Sequence, residues 1–279
     1  MKIIKFILIS LIPISCTSQN ISENYVLDDV GILVEKSDSA KEYDVIYNSN
    51  NKIYTTGKAF VFSYYYKNLK GEKFLITKGE EIKKENYSIF GWKFIEFQNQ
   101  NEETIKEIKL KPLLGNPFSG QIDDYNQTGI SYEYIMKNSR SLTMEITGVI
   151  ENEPNIWIHP PRNGFFQILE LNPFPYIKAP YKIGTKWNWK LDIGDNWSDK
   201  RWFEWKGRIE NNYDYEIVDK KTILTKLGNL ECFIIHSKAK SRIGETELIS
   251  FFNPEFGFVK LEYKNIDGTK TILELEKVE

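Results

Sequence analysis

The chain has 279 residues, of which 41% are apolar and 27% are charged, a composition typical of a folded globular protein and unlike that of a disordered tail. Its net charge of −2 excludes the strongly basic profile of a general nucleic-acid binder, so we expect no nucleic-acid partner. Two cysteines and two histidines exclude a framework of several disulfides and argue against a multi-histidine metal centre. We therefore predict neither a metal site nor a cofactor.

The N-terminal residues have the organisation of a secretory signal. Lys2 and Lys5 form a short basic region, and an apolar run follows over 6–14. That run is too short to cross a bilayer as a mature helix, but it is typical of the apolar core of a signal peptide. We predict a signal peptide over residues 1–15.

The signal ends in Ser15-Cys16, which resembles the lipobox of bacterial lipoproteins. In such proteins a small residue precedes a cysteine that is lipidated and becomes the first mature residue. The resemblance implies palmitate or another acyl chain on Cys16, a polar tether over 16–23, and a cell-envelope location at the outer membrane, on its periplasmic face or at the cell surface. The alternative is an ordinary signal peptide cleaved near Ser15, with Cys16 incidental.

The remainder of the chain shows a period of two in hydrophobicity. Apolar and polar residues alternate over 142–147, 187–192, 259–264 and 273–276, and glycine-containing turn signals separate such runs. Alternation of this kind is typical of antiparallel strands with one face in water. We predict a mainly β fold with little helix.

Two shifts in composition indicate how the chain is organised. Six of the ten prolines lie between Pro154 and Pro180, and proline interrupts strand pairing because it lacks an N–H donor. We predict a β-rich N-terminal region over 24–150, a proline-rich crossover over 151–180 and a second β-rich domain over 181–279. The alternative is one continuous sandwich whose edge is wrapped by the proline-rich segment.

The C-terminal third resembles a family of uncharacterised β-rich envelope proteins of Gram-negative bacteria. The resemblance rests on Gly-Thr-Lys-Trp at 184–187, Tyr-Glu-Ile-Val at 215–218, Thr-Lys-Leu-Gly-Asn-Leu-Glu-Cys at 225–232 and Phe-Phe-Asn-Pro-Glu-Phe-Gly-Phe-Val-Lys at 251–260. It implies a strongly curved antiparallel sheet, similar to the half-barrel of periplasmic lipoprotein carriers, and it transfers no catalytic residue. The abundance of Asn, Lys, Ile and Tyr, together with the lipobox, resembles envelope lipoproteins of Bacteroidota.

The most distinctive local string contains Trp157, His159 and Arg162 around two prolines. One interpretation is a substrate-facing loop, with His159 as an acid/base or ligand and Arg162 holding an anion. The interpretation that we favour is structural, because the prolines make the turn rigid and Arg162 is expected to pair with a carboxylate. The other histidine, His236, is distant in sequence.

Tryptophans are concentrated in the window 157–205, which holds six of the seven. Trp197 and Trp202 lie there among several aspartates and glutamates. Aromatic rings beside carboxylates suit sugar binding, because rings stack on the apolar faces of sugars and carboxylates accept hydroxyl hydrogens. The alternative is that the tryptophans fill a β-sheet core, although turn-like sequence around Trp197 favours a surface position.

The sequence shows no glycine-rich phosphate loop, no nucleophile elbow and no zinc-protease motif. We therefore assign no catalytic residue and favour a non-enzymatic, lipid-anchored envelope protein that binds an apolar, glycan or protein partner in the concavity of its sheet. The first alternative is a carbohydrate-binding or carbohydrate-processing module that uses 157–205. The second is a hydrolase in which His159 acts with a nearby carboxylate.

Overall fold

A computed structural model describes residues 24–28, 31–36, 50–83, 88–115 and 126–279. The predicted signal peptide, Cys16 and the rest of the predicted tether lie within residues 1–23, which are outside the described residues. In the described part of the chain, no helix is long and apolar enough to cross a membrane.

The strands are β1 (Tyr25–Leu27), β2 (Leu33–Glu35), β3 (Phe60–Lys67), β4 (Lys73–Lys83), β5 (Ser88–Glu96), β6 (Ile105–Pro112), β7 (Thr128–Met136), β8 (Ser141–Glu151), β9 (Asn155–Ile158), β10 (Tyr176–Lys178), β11 (Lys186–Ile193), β12 (Ile209–Thr225), β13 (Gly228–Ser241), β14 (Gly244–Asn253), β15 (Gly257–Lys264) and β16 (Lys270–Val278). Short 3-10 helices cover Phe97–Asn99, Gly164–Leu171 and Asp195–Trp197. The structure is 61% strand and 6% helical, which confirms the mainly β fold with little helix.

One antiparallel sheet contains β3 to β16, while β1 and β2 form a separate hairpin. Twelve of its strands follow one another in the order β10-β9-β8-β7-β6-β3-β16-β15-β14-β13-β12-β11, and the hairpin of β4 and β5 branches from β3. The two predicted β-rich regions share this sheet, since Phe62 of β3 is paired with Leu275 of β16. The boundaries proposed for independent domains stay predictions, because strand pairing does not test them.

The sheet is so strongly curved that its two edges approach each other. Tyr176 of β10 packs against Trp187 of β11, with ring centroids 5.7 Å apart, and Trp157 of β9 lies 6.0 Å from Trp189 of β11. Side chains rather than backbone hydrogen bonds join the edges there. The sheet is therefore a nearly closed barrel, which confirms the predicted strong curvature.

The proline-rich segment between β9 and β10 fills the interior of this barrel. Its 3-10 helix, Gly164–Leu171, carries Phe166, which is fully buried among aromatic rings of β3, β5 and β7. Burying a phenylalanine side chain contributes about 1.5–3 kcal/mol to folding. We call residues 159–175 the plug. Because the plug occupies the concave face, that face is a packed core.

Polar contacts hold the end of the plug to the sheet. The Leu171 carbonyl oxygen accepts hydrogen bonds from Nδ2 of Asn211 at 3.0 Å and Oγ1 of Thr246 at 2.8 Å. Nδ2 of Asn172 donates to the Lys264 carbonyl oxygen at 2.9 Å. Buried polar groups are costly without partners, so these bonds allow an irregular segment to lie inside the barrel.

The hairpin of β4 and β5, which we call the ribbon, lies across one end of the plug. It pairs with β3 only at Phe74 and Lys73. Trp92 lies directly over Gly164, where a Cβ atom would be 2.4 Å from the indole ring. Gly164 also has a φ of +58°, a backbone conformation that residues with a Cβ atom rarely adopt. Both this conformation and the contact with Trp92 therefore require glycine at this position.

Candidate functional site

The structure places Trp157 in the core. It is 4% exposed and packs against Phe174 of the plug at 5.6 Å, in addition to Trp189 of β11. This position gives the ring a packing role at the seam between the two edges of the sheet.

His159 is the first residue of the plug and faces a buried carboxyl group. Its Nδ1 lies 2.9 Å from the Pro160 carbonyl oxygen, which can only accept a hydrogen bond, so we assign the ring proton to Nδ1. Nε2 lies 3.3 Å from both Oε1 of Glu170 and Nη1 of Arg162. Burial, and then the positive charge of Arg162, lowers the pKa of His159 to about 3, so the ring is neutral.

Glu170 is the partner that the sequence did not indicate. It is 3% exposed near the end of the plug helix, and burial raises its pKa to about 8, an effect that Arg162 opposes from 4.0 Å and Glu145 reinforces. At neutral pH Glu170 therefore keeps its proton and faces the unprotonated Nε2 of His159. The pair is held as two neutral groups.

Arg162 connects this pair to the sheet and to the tryptophan-rich loop. Its backbone N–H donates to Oε1 of Glu145 at 2.8 Å, and the Tyr134 hydroxyl donates to the same oxygen at 2.6 Å. Burial raises the pKa of Glu145, while these hydrogen bonds oppose the shift. The Arg162 guanidinium is partly exposed and lies 5.9 Å from the Trp197 ring.

The predicted site residues thus form a continuous chain of contacts. Arg162 reaches Trp197, and Nε1 of Trp202 donates to the Trp197 carbonyl oxygen at 3.3 Å. Both tryptophans are half-buried. His159 points inward at Glu170 and lines none of the cavities described below, so the geometry favours a role in holding the plug in place.

Trp202 lines a cleft of about 240 Å³ at the end of the barrel where β3 ends and β16 begins. The ribbon, the plug helix, the loop after β11 and the turn before β16 all contribute to it. We call this the aromatic cleft; its lining residues are Tyr66, Lys67, Asn68, Phe74, Phe94, Phe165, Ile168, Arg201, Trp202, Asp267 and Thr269.

Arg201 forms a rigid wall of the aromatic cleft. Its Nε and Nη2 donate to the two carboxylate oxygens of Asp199 at 2.9 and 2.7 Å, and Nη2 also donates to Oε1 of Gln167 at 3.1 Å. The guanidinium lies 4.6 Å from the Trp202 ring and 5.0 Å from the Phe165 ring. Hydrogen bonding from Arg201 lowers the pKa of Asp199, so the pair is ionised and electrically balanced.

A larger and more open depression of about 630 Å³ follows β11 beside the end of β1. Six of its ten lining residues are polar or charged, among them Asn188, Asp192, Glu210 and Asn212. It lacks the group of aromatic side chains that distinguishes the aromatic cleft.

Comparison with known proteins places the chain beside exported proteins and lipoproteins of similar fold. No family model and no curated protein matches the sequence. One solved structure that matches is a protein from Bacteroides fragilis, provisionally described as exported and with a YmcC-like fold; it is 10% identical, the match covers 81% of this chain and 97% of that chain, and the TM-score is 0.40. Another is a provisionally described lipoprotein from Parabacteroides distasonis; it is 11% identical, the match covers 81% of this chain and 97% of that chain, and the TM-score is 0.41. A third is the hypothetical lipoprotein YmcC from Escherichia coli (8%, 78% and 84%, TM-score 0.36).

Sequence reasoning found Trp202 but missed the other aromatic residues of the cleft. One signal was present, because Phe90, Trp92 and Phe94 alternate along β5 and therefore share one face of the ribbon. Two of these rings cover the plug, and Phe94 remains 43% exposed beside the cleft. Tyr66, by contrast, follows an ordinary core pattern in β3.

Proposed function

We propose that the protein is a lipid-anchored envelope protein that binds a small ligand in the aromatic cleft and is not an enzyme. The observation that supports this proposal is the convergence of Tyr66, Phe74, Phe94, Phe165 and Trp202 on one opening. Ligand sites are concave, mostly apolar and supplied with a few fixed polar groups, as this cleft is. The plug fills the concave face of the sheet, so we place the ligand at the cleft beside the plug, where the aromatic side chains converge.

The arrangement of titratable groups favours binding over catalysis. A general base must reach a proton on the substrate, whereas His159 directs Nε2 at Glu170 and Arg162 in the core. In the aromatic cleft, Arg201 is engaged by Asp199 and forms a fixed wall. His159 does have a carboxyl neighbour in Glu170, but Glu170 is buried and neither residue lines a cleft described here, so we do not adopt the hydrolase alternative.

Dye binding tests the cleft. N-phenyl-1-naphthylamine, an uncharged dye, should bind the purified protein with enhanced fluorescence, and the Phe94→Ala variant should bind it at least tenfold more weakly. Phe97→Ala is the matched control, because Phe97 is also 43% exposed and belongs to the same ribbon region but does not line the cleft. Equal dye binding by the wild type and both variants would refute the proposal that the cleft is a binding site.

The membrane anchor is tested separately through Cys16. Acylation of this residue, with palmitate among the chains, would hold the protein at the outer membrane, because each buried methylene contributes about 0.8 kcal/mol. Cys16→Ala should move the protein from the membrane fraction to the soluble envelope fraction. If the variant stays in the membrane fraction, the prediction of a lipid anchor at Cys16 is wrong.

A further inference from the structure

The size of the aromatic cleft matches a single ring. An apolar cavity of about 150 Å³ in a protein interior holds one benzene molecule. At about 240 Å³, the cleft has room for one six-membered ring with substituents, while the surrounding plug and ribbon leave no continuation into the filled core.

The charges around the cleft do not favour an anion. Arg201 is balanced by Asp199, and Asp267 adds a carboxylate at the rim. Lys67 lines the cleft, but its ammonium lies 5.7 Å from the Tyr65 ring, and neighbouring residues of a strand point to opposite faces, so it lies away from Tyr66. With Lys67 and Arg201 set against Asp199 and Asp267, the charges around the cleft balance, so a fatty acid or phosphate is not favoured.

A cationic ligand is not favoured either. Aromatic sites select cations by placing ring faces around them. Here the guanidinium of Arg201 already lies against Phe165 and Trp202, and the ring of Phe94 is 4.2 Å from that of Phe165. The chain's own cation thus takes the place that a ligand cation would need.

The rim offers both a hydrogen-bond donor and an acceptor. Within the described residues, Nη1 of Arg201 has no hydrogen-bond partner, because Asp199 and Gln167 engage Nε and Nη2. Oδ1 of Asp267 accepts from the backbone N–H and Oγ1 of Thr269 at 3.0 and 2.6 Å, which fixes the carboxylate and leaves Oδ2 for another donor. A donor and an acceptor at fixed positions beside an exposed ring suit a hydroxyl-bearing molecule with one apolar face.

We infer that the aromatic cleft binds one hexopyranose ring of a neutral saccharide. The apolar C–H face of the sugar stacks on Phe94, and its hydroxyl groups bond to Nη1 of Arg201 and Oδ2 of Asp267. This inference rests on the proposed function, because it names the ligand class of the same cleft. The competing occupant is an aromatic side chain of a protein partner, which would use the rings but not the paired donor and acceptor.

Displacement of the bound dye separates the outcomes. The probes are cellobiose, maltose, melibiose and N,N′-diacetylchitobiose, with N-acetyltryptophan amide as the aromatic competitor. At least one disaccharide should displace N-phenyl-1-naphthylamine from the wild type and shift the tryptophan emission of the protein. Asp267→Asn and Arg201→Gln should each weaken that disaccharide at least fivefold, and Phe97→Ala should bind it as the wild type does.

Two results would contradict the saccharide inference while leaving the proposed binding function intact, and a third would contradict both. If the dye binds the cleft but no disaccharide displaces it, the ligand is not a neutral saccharide. If N-acetyltryptophan amide displaces the dye and the disaccharides do not, the cleft takes a protein side chain. If Phe94→Ala leaves dye binding unchanged, the cleft is not a binding site, and the proposed function fails along with the inference. Circular dichroism of each variant establishes that it is folded.

Discussion

Replacing Glu170 by glutamine should stabilise the protein above neutral pH. In the folded protein, burial raises the pKa of Glu170 from its ordinary value of 4.5 to about 8. The folded state therefore binds one more proton than the unfolded state between these pH values, and stability decreases as the pH rises through that interval. Glutamine has no proton to lose and nearly the same shape as the protonated acid, so it can occupy the same buried position beside His159.

His159 changes stability with pH in the opposite direction, so the effect of Glu170 can be measured alone only over a narrow pH range. Its pKa is lowered from an ordinary 6.5 to about 3, and the unfolded state therefore binds the extra proton between those values. Stability then rises with pH up to 6.5, which cancels the effect of Glu170 between pH 4.5 and 6.5. Of these two groups, only Glu170 changes the unfolding free energy with pH above pH 6.5. At about 1.4 kcal/mol per pH unit, its effect is about 2 kcal/mol between pH 6.5 and 8.

Urea denaturation at pH 6.5 and pH 8 measures this difference. The wild type should lose about 2 kcal/mol of unfolding free energy relative to Glu170→Gln between the two pH values. Glu80→Gln makes the same substitution at an exposed position of β4 and should follow the wild type. If Glu170→Gln shows the same pH dependence as the wild type, Glu170 is ionised in the folded protein and the neutral pair with His159 does not exist.

Two further substitutions test how the plug and the loop over residues 52–54 are held in place. Gly164→Ala should cost about 1–2 kcal/mol for the left-handed backbone and should also displace Trp92, seen as a red shift of tryptophan emission. Gly71→Ala, at a φ of +83° with open space around it, should show the backbone cost without that shift. Glu151→Gln should lower stability by about 2–3 kcal/mol in urea denaturation, because the carboxylate accepts three backbone N–H groups from 52–54 at 2.8–2.9 Å. A loss below about 0.5 kcal/mol would contradict that anchoring role.

The strands could be predicted from the sequence because their signal is local. Alternation over 259–264 and 273–276 identified Leu261, Tyr263 and Leu273 as residues of one face, and the structure buries all three. The resemblance of the C-terminal third likewise implied strong curvature, which the approach of β10 to β11 confirms.

The route of the proline-rich segment could not be predicted in the same way. The prolines lack N–H donors, which shows that the segment leaves the hydrogen-bonded sheet, but this does not show where in the fold the segment lies. The decisive contacts are distant in sequence, such as those that join Leu171 to Asn211 and Thr246. Glu170 was not identified as the partner of His159, although the two are close along the chain, because their contact depends on the course that the plug takes between them.

The plug also changes what a curved sheet of this kind can do. An open half-barrel offers its concave face to a ligand, but here Phe166, Ile168 and Leu169 fill that face as part of the core. The same short helix presents Phe165 and Ile168 to the aromatic cleft, so the segment that closes the interior also builds the wall of the remaining opening. Binding at the cleft therefore requires no opening of the barrel, and a variant with a tighter plug, such as Glu170→Gln at pH 8, should retain the cleft unchanged.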